Sequence, residues 1–152
     1  MNTFNRKTLA VLTLSLVVLL AGSLAVTAQE DVVVNAADEF LNDIHENGFL
    51  TVSQEEVNTQ RKVRSDLFIL DVRTPGEVEE GKIPGAKAIR LSNLAQKIDE
   101  LPDDKDTTMY VYCKGGTRAA YAVAVLQSLG YTEAYNMGGF VDWKEAGYPV
   151  ES

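Results

Sequence analysis

The sequence predicts an α/β domain built on a mostly parallel sheet. Segments of strand length at 67–70, 88–91 and 109–112 are separated by stretches with helical spacing. Capping residues and glycines punctuate those stretches. Strands that alternate with helices imply right-handed crossovers and a sheet covered on both faces, hence three layers in one domain.

The elements follow in order. Asn35 to Asn47 reads as a helix: Asn35 caps it with Asp38 three residues on, Ala37, Phe40, Leu41 and Ile44 form one apolar stripe, and Gly48 stops it. Phe49 to Val52 is a short strand. Ser53 and Glu56 form a capping box for a helix reaching Arg61. Leu67 to Leu70 is a continuous apolar strand that ends at Asp71. Thr74, Pro75 and Glu77 supply a cap, a proline at the first helical position and a glutamate at the third. Ile83 to Ala86 is a turn, Ala88 to Leu91 a strand, and Ser92 caps a helix carrying Leu94, Ile98 and Leu101 that breaks at Pro102. Met109 to Tyr112 is the next strand, and Thr117 to Leu129 a helix stopped by Gly130. Ala134 to Asn136 is a brief strand, and Gly138-Gly139 turn into a last helix through Trp143.

Composition bounds the function. The chain has 152 residues with a formal net charge of −8, one cysteine and one histidine. One cysteine excludes an internal disulfide, and with one histidine it excludes a Cys/His zinc site. The acidic balance argues against nucleic acid as a partner, because phosphate backbones attract clustered Lys and Arg.

Residues 1–28 form a separate segment. Arg6 and Lys7 precede an apolar run from Leu9 to Gly22, and small residues follow to Ala28. This is the pattern of a secretory signal peptide cleaved after Ala28; the run is short for an uncleaved anchor. The expected organisation is a signal peptide at 1–28, an extension with one helix at 29–48, and the domain at 49–150. The expected product is exported, periplasmic or extracellular, and free of the membrane after cleavage. In an oxidising compartment a lone thiol is a liability unless it is buried or used.

That thiol is Cys113, which follows a strand and precedes Lys114-Gly115-Gly116-Thr117-Arg118 at the start of a helix. Ligands of open α/β sheets bind beyond the carboxyl ends of strands. The helix turns its free N–H groups and dipole toward the loop, and the two glycines let successive N–H groups form an anion-binding nest. With Lys114 and Arg118 added, these features favour the thiolate form of a cysteine placed there. The plain alternative is a small buried cysteine beside a tight turn, but two glycines, two cations and a helix start converge on this one. Asp71 and Arg73, at a neighbouring strand end, read as a pair bracing a turn in support of the loop. Glu77, Glu79 and Glu80 read as solvated surface, His45 as a surface cation, and Phe140 and Trp143 as packing residues.

Several motifs in one order now resemble the rhodanese family of single-domain sulfurtransferases over residues 49–150. They are Leu70-Asp71-Val72-Arg73-Thr74-Pro75 with Glu77, Gly81 to Ala86, the 113–118 loop, and Gly138-Gly139-Phe140 with Trp143 to Pro149. The resemblance implies a five-stranded parallel sheet flanked by helices. It also implies that Cys113 is the catalytic residue carrying sulfur and that residues 114–118 cradle the substrate. Sulfane sulfur would pass from an anionic donor such as thiosulfate to cyanide or a thiol acceptor, with no metal or organic cofactor. Lys82 stands where the family commonly has histidine, and Gly115 where many single-domain members have serine. Two alternatives are weighed against this: an exported redox-sensing or partner-binding module, and a cysteine phosphatase. The phosphatase loop resembles Cys-x5-Arg, one residue longer than the spacing from Cys113 to Arg118.

Overall fold

The computed structural model of the chain describes residues 31–32, 34–42, 50–64 and 66–152. The chain divides into two units, Met1–Glu46 and Asn47–Ser152. In the first, residues 31–32 and 34–42 are helical, so Asn35 lies inside this helix and does not cap it. An interior asparagine costs a helix only a few tenths of a kcal/mol, roughly, which its neighbours readily offset. The segment expected to direct export, the end of that helix and His45 lie outside the described residues.

The second unit carries the sheet. Its helices and strands are α1 (Gln54–Gln60), β1 (Phe68–Asp71), α2 (Pro75–Glu79), β2 (Lys87–Ala88), β3 (Met109–Cys113), α3 (Thr117–Ser128), β4 (Ala134–Gly139) and α4 (Phe140–Glu145). Among the described residues four parallel strands run in the order β2-β1-β3-β4. The expected fifth strand at 49–52 contracts to one parallel bridge between Thr51 and Asn136. Leu50 explains the contraction, because its φ of 52° is left-handed and no extended strand runs through it. Three residues later Ser53 already caps α1, its hydroxyl accepting the Glu56 N–H.

β3 is central, and all five of its residues are buried. Its side chains alternate between two faces. Tyr110 and Tyr112 enter a core with Val57 of α1, Ile69, Ile83, Met137, and Phe140 and Trp143 of α4. The 12-residue α3 buries Ala119, Ala122, Val123 and Leu126 and packs on β3 and β4 from the other face. The three layers are therefore those expected.

Two stretches differ from the sequence reading. β2 is only Lys87–Ala88, paired with Leu70 and Asp71 of β1, where a strand at 88–91 was expected. The helix expected from Ser92 is instead two 3₁₀ segments, Leu91–Gln96 and Ile98–Glu100. Lys97, at φ −122° and ψ 33°, interrupts the run, and the tighter turns still bury Leu94 and Leu101.

β4 is longer than expected because it contains a bulge. Val111 pairs with Asn136 but Cys113 pairs with Gly139, so β4 spends one more residue than β3 over the same span. Gly138 absorbs the distortion at φ 92°, and its N–H donates to the Asn136 side-chain oxygen at 2.9 Å. The bulge presses Gly139 onto the loop after Cys113. A Cβ there would lie 2.6 Å from the Lys114 carbonyl oxygen and 2.7 Å from Gly115 Cα, both backbone atoms. Gly76 in α2 has open space around its Cβ position. The same substitution should thus have opposite signs at the two sites. In urea unfolding, Gly139→Ala is expected to lose about 1–3 kcal/mol through overpacking, and Gly76→Ala to be neutral or to gain up to about 1 kcal/mol. A Gly139→Ala variant as stable as the parent would contradict the close approach.

Candidate active site

Cys113 is the last residue of the central strand, and the chain turns at once through Lys114, Gly115 and Gly116 into α3. Gly116 takes φ 92°, a conformation that glycine adopts without steric cost. Its N–H donates to the Cys113 Sγ at 3.1 Å. Its carbonyl accepts from the Ala120 N–H, closing the first turn of α3, and from the Asn136 side chain at 3.4 Å. The Lys114 carbonyl accepts from the Val141 N–H at 3.2 Å, which fastens the loop to the start of α4. The first N–H groups of an α-helix have no partner within it, and α3 begins directly at this loop.

A cleft of about 500 Å³ opens over the thiol, lined by Cys113, Lys114, Gly115, Thr117, Arg118, Val141 and Asp142. The structure therefore brings together every loop residue that the sequence singled out, with Gly116 behind the thiol. Cys113 itself is only 1% exposed and forms the cleft floor. Lys114 is at the rim, exposed.

Arg118 is half-buried and committed. Its two terminal nitrogens donate to the two carboxylate oxygens of Glu77, each at 2.8 Å. The geometry is a bidentate fork, the strongest form of such a pair. Arg118 in turn holds the Glu77 carboxyl well below the usual carboxylate range, and the N–H and hydroxyl of Thr74 add to the effect. The Glu77 pairing raises the Arg118 guanidinium further above its ordinary value, with the Cys113 sulfur adding a smaller push. Glu77 is thus not solvated surface, as its acidic neighbourhood suggested. Glu79 and Glu80 are exposed as expected.

Asp71 and Arg73 lie behind this arrangement, 0% and 3% exposed. The Arg73 fork donates to Asp71 at 2.6 to 3.0 Å, and the Arg73 backbone N–H donates to Asp71 Oδ1 at 2.9 Å. The remaining guanidinium donors reach the carbonyls of Glu77 at 2.9 Å and Gly81 at 2.8 Å. Phe140 closes the stack, its ring centroid 4.0 Å from the guanidinium carbon. Neither residue lines the cleft; they brace the turn, as expected, and through Glu77 they reach Arg118. Tyr112 accepts the Ile83 N–H on its hydroxyl, and burial, with the Asp71 charge beside it, pushes that phenol far above its ordinary value. Lys82, where the motif departs, turns away to the Ala86 carbonyl and Glu151.

Two site residues escaped the sequence reading. Glu77 was legible as a helix cap but not as the partner of a residue 41 positions away. Asp142 carried no signal, because its place at the cleft depends on the β4 bulge.

The rhodanese-like domain family model matches residues 53–146, which hold every residue of the site. A sulfurtransferase of Allochromatium vinosum is 30% identical over 100 residues, covering 65% of this chain and 92% of that protein. The thiosulfate sulfurtransferase PspE of Escherichia coli is 34% identical over 73 residues, 48% of this chain and 70% of PspE. Among solved structures, the human single-domain sulfurtransferase TSTD1 superposes with a TM-score of 0.57 at 28% identity, covering 63% of this chain and 96% of that one. With its parallel sheet, its strand-end cysteine and a match across most of its second unit, this chain belongs to the rhodanese-like domain family.

Proposed function

We propose that this protein is a sulfurtransferase that carries sulfane sulfur on Cys113. The observation that carries the reading is the Gly116 N–H on the Cys113 Sγ, 3.1 Å apart, beneath a cleft that Lys114 and Arg118 help to line. A backbone N–H aimed at the sulfur is placed to meet negative charge that develops there during transfer, as an oxyanion hole does for oxygen. The relatives that bear the sulfurtransferase name support the same chemistry.

In the first step the Cys113 thiolate attacks the sulfane sulfur of a donor such as thiosulfate. A sulfur–sulfur bond forms at Cys113, the donor's own sulfur–sulfur bond breaks, and sulfite leaves with the electron pair. In the second step cyanide or a thiolate attacks the outer sulfur, leaving as thiocyanate or a persulfide and restoring the Cys113 thiolate. No oxidant enters, because each step exchanges one nucleophile for another. The N–H groups of residues 114–118 hold the outer sulfur, while Lys114 draws the donor to the rim. Arg118, held by Glu77, fixes the first turn of α3 beneath the leaving group.

Intact mass after brief thiosulfate treatment tests the reading. The parent is expected to gain the mass of one sulfur atom and to lose it to cyanide, and Cys113→Ser to gain nothing. A folded, reduced parent that gains nothing sinks thiosulfate as donor. Export is part of the proposal and is supported by the pattern of residues 1–28. The secreted form should begin at Gln29 on N-terminal sequencing; a cell-associated chain that keeps residues 1–28 would refute it.

A further inference from the structure

We infer that Asp142 is a specificity-determining residue that tunes the Cys113 cleft against donors of high negative charge. The inference deepens the sulfur-transfer reading for its substrate but rests on electrostatics that hold without it. Asp142 stands in the first turn of α4, exposed, and lines the cleft together with Cys113. Backbone fixes its place, through the Val141 N–H bonded to the Lys114 carbonyl. Its Oδ2 lies 2.9 Å from the point a Cβ on Gly139 would occupy, and Gly115 Cα lies 2.7 Å from that same point. The carboxylate is therefore set against the loop whose N–H groups receive the anion.

The charge balance of the lining follows. Arg118 is matched by the bidentate Glu77. No described residue bonds or ion-pairs with the Asp142 carboxylate or with the Lys114 ammonium. Lys114 and Asp142 are thus the charges left over, and they oppose each other. The sequence suggests two free cations at this loop; the folded cleft is close to neutral. Backbone N–H groups still attract a sulfur anion, but a second negative charge on the donor meets Asp142. Organic sulfane donors with one negative charge or none lose least, and a dianion such as thiosulfate loses most.

Alkylation of Cys113 tests the charge directly. Iodoacetate and iodoacetamide both form a sulfur–carbon bond and expel iodide, the first as an anion and the second as a neutral molecule. In Asp142→Asn the ratio of their rates, iodoacetate over iodoacetamide, is expected to rise about threefold at low ionic strength. The rise should shrink toward parity at about 0.5 M salt. The KM for thiosulfate should fall about tenfold with kcat little changed, since the one carboxylate removed repels both charges of the dianion. Glu145→Gln, exposed on the same helix but outside the cleft lining, should leave the ratio unchanged. A ratio that Asp142→Asn does not move, or that Glu145→Gln moves equally, overturns the inference. A raised ratio in a protein whose parent takes no sulfur from thiosulfate supports the inference while refuting the donor.

Discussion

The buried Asp71–Arg73 ion pair is the constraint on which the site depends. Two charges at 0% and 3% exposure are costly to desolvate, so the pair persists only if every donor and lone pair is matched. Here the matching does structural work. One guanidinium edge engages Asp71 at the end of β1, and two further donors capture the Glu77 and Gly81 carbonyls. The segment from β1 through α2 to Gly81 is thereby folded around a single cation, with Phe140 stacked upon it. Removing one partner from such a pair typically costs about 3–5 kcal/mol, since the other charge stays buried alone.

The consequence for chemistry runs through α2. Thr74 and Pro75 start that helix, and Glu77 at its third position holds the Thr74 N–H. Glu77 is then anchored at its backbone by Arg73 and free to extend its carboxylate to Arg118. On the opposite side the β4 bulge presses Gly139 onto Lys114 and Gly115. The cysteine loop, with its two glycines, is held by both of these supports. Preorganised N–H groups around a sulfur contribute most when they need not rearrange as charge develops.

Much of this was legible in the sequence. The runs at 67–71 and 109–112, the Thr74–Glu77 cap and the helix after Gly116 all rest on local rules, and all appear in the structure. Cys113 stood out because residue types at consecutive positions suffice to build an anion cradle. What local rules cannot see is a partner far along the chain. Glu77 finds Arg118 across 41 positions. The bulge that brings Asp142 to the cleft is a matter of how β4 pairs with β3; Gly138 and Gly139 permit it, but glycines alone read as a turn. The 91–100 stretch has helical spacing in its apolar residues, yet Lys97 breaks the backbone and the same residues are buried by 3₁₀ turns. Periodicity records which side chains go inward, and it cannot tell two tight helical forms apart over so short a run.

The central claim is that the buried pair acts on Cys113 through Glu77 and Arg118. A double-mutant cycle on the rate of sulfur uptake by Cys113 measures this directly. Arg73→Lys keeps the buried charge but loses the fork that reaches the Glu77 carbonyl, and Glu77→Gln loses the ion pair to Arg118. If the two act along one line, the double variant is no slower than the slower single variant, and the coupling accounts for the smaller effect. Rate losses that simply multiply would mean that the pair and the Glu77–Arg118 fork support the site independently, contradicting the account.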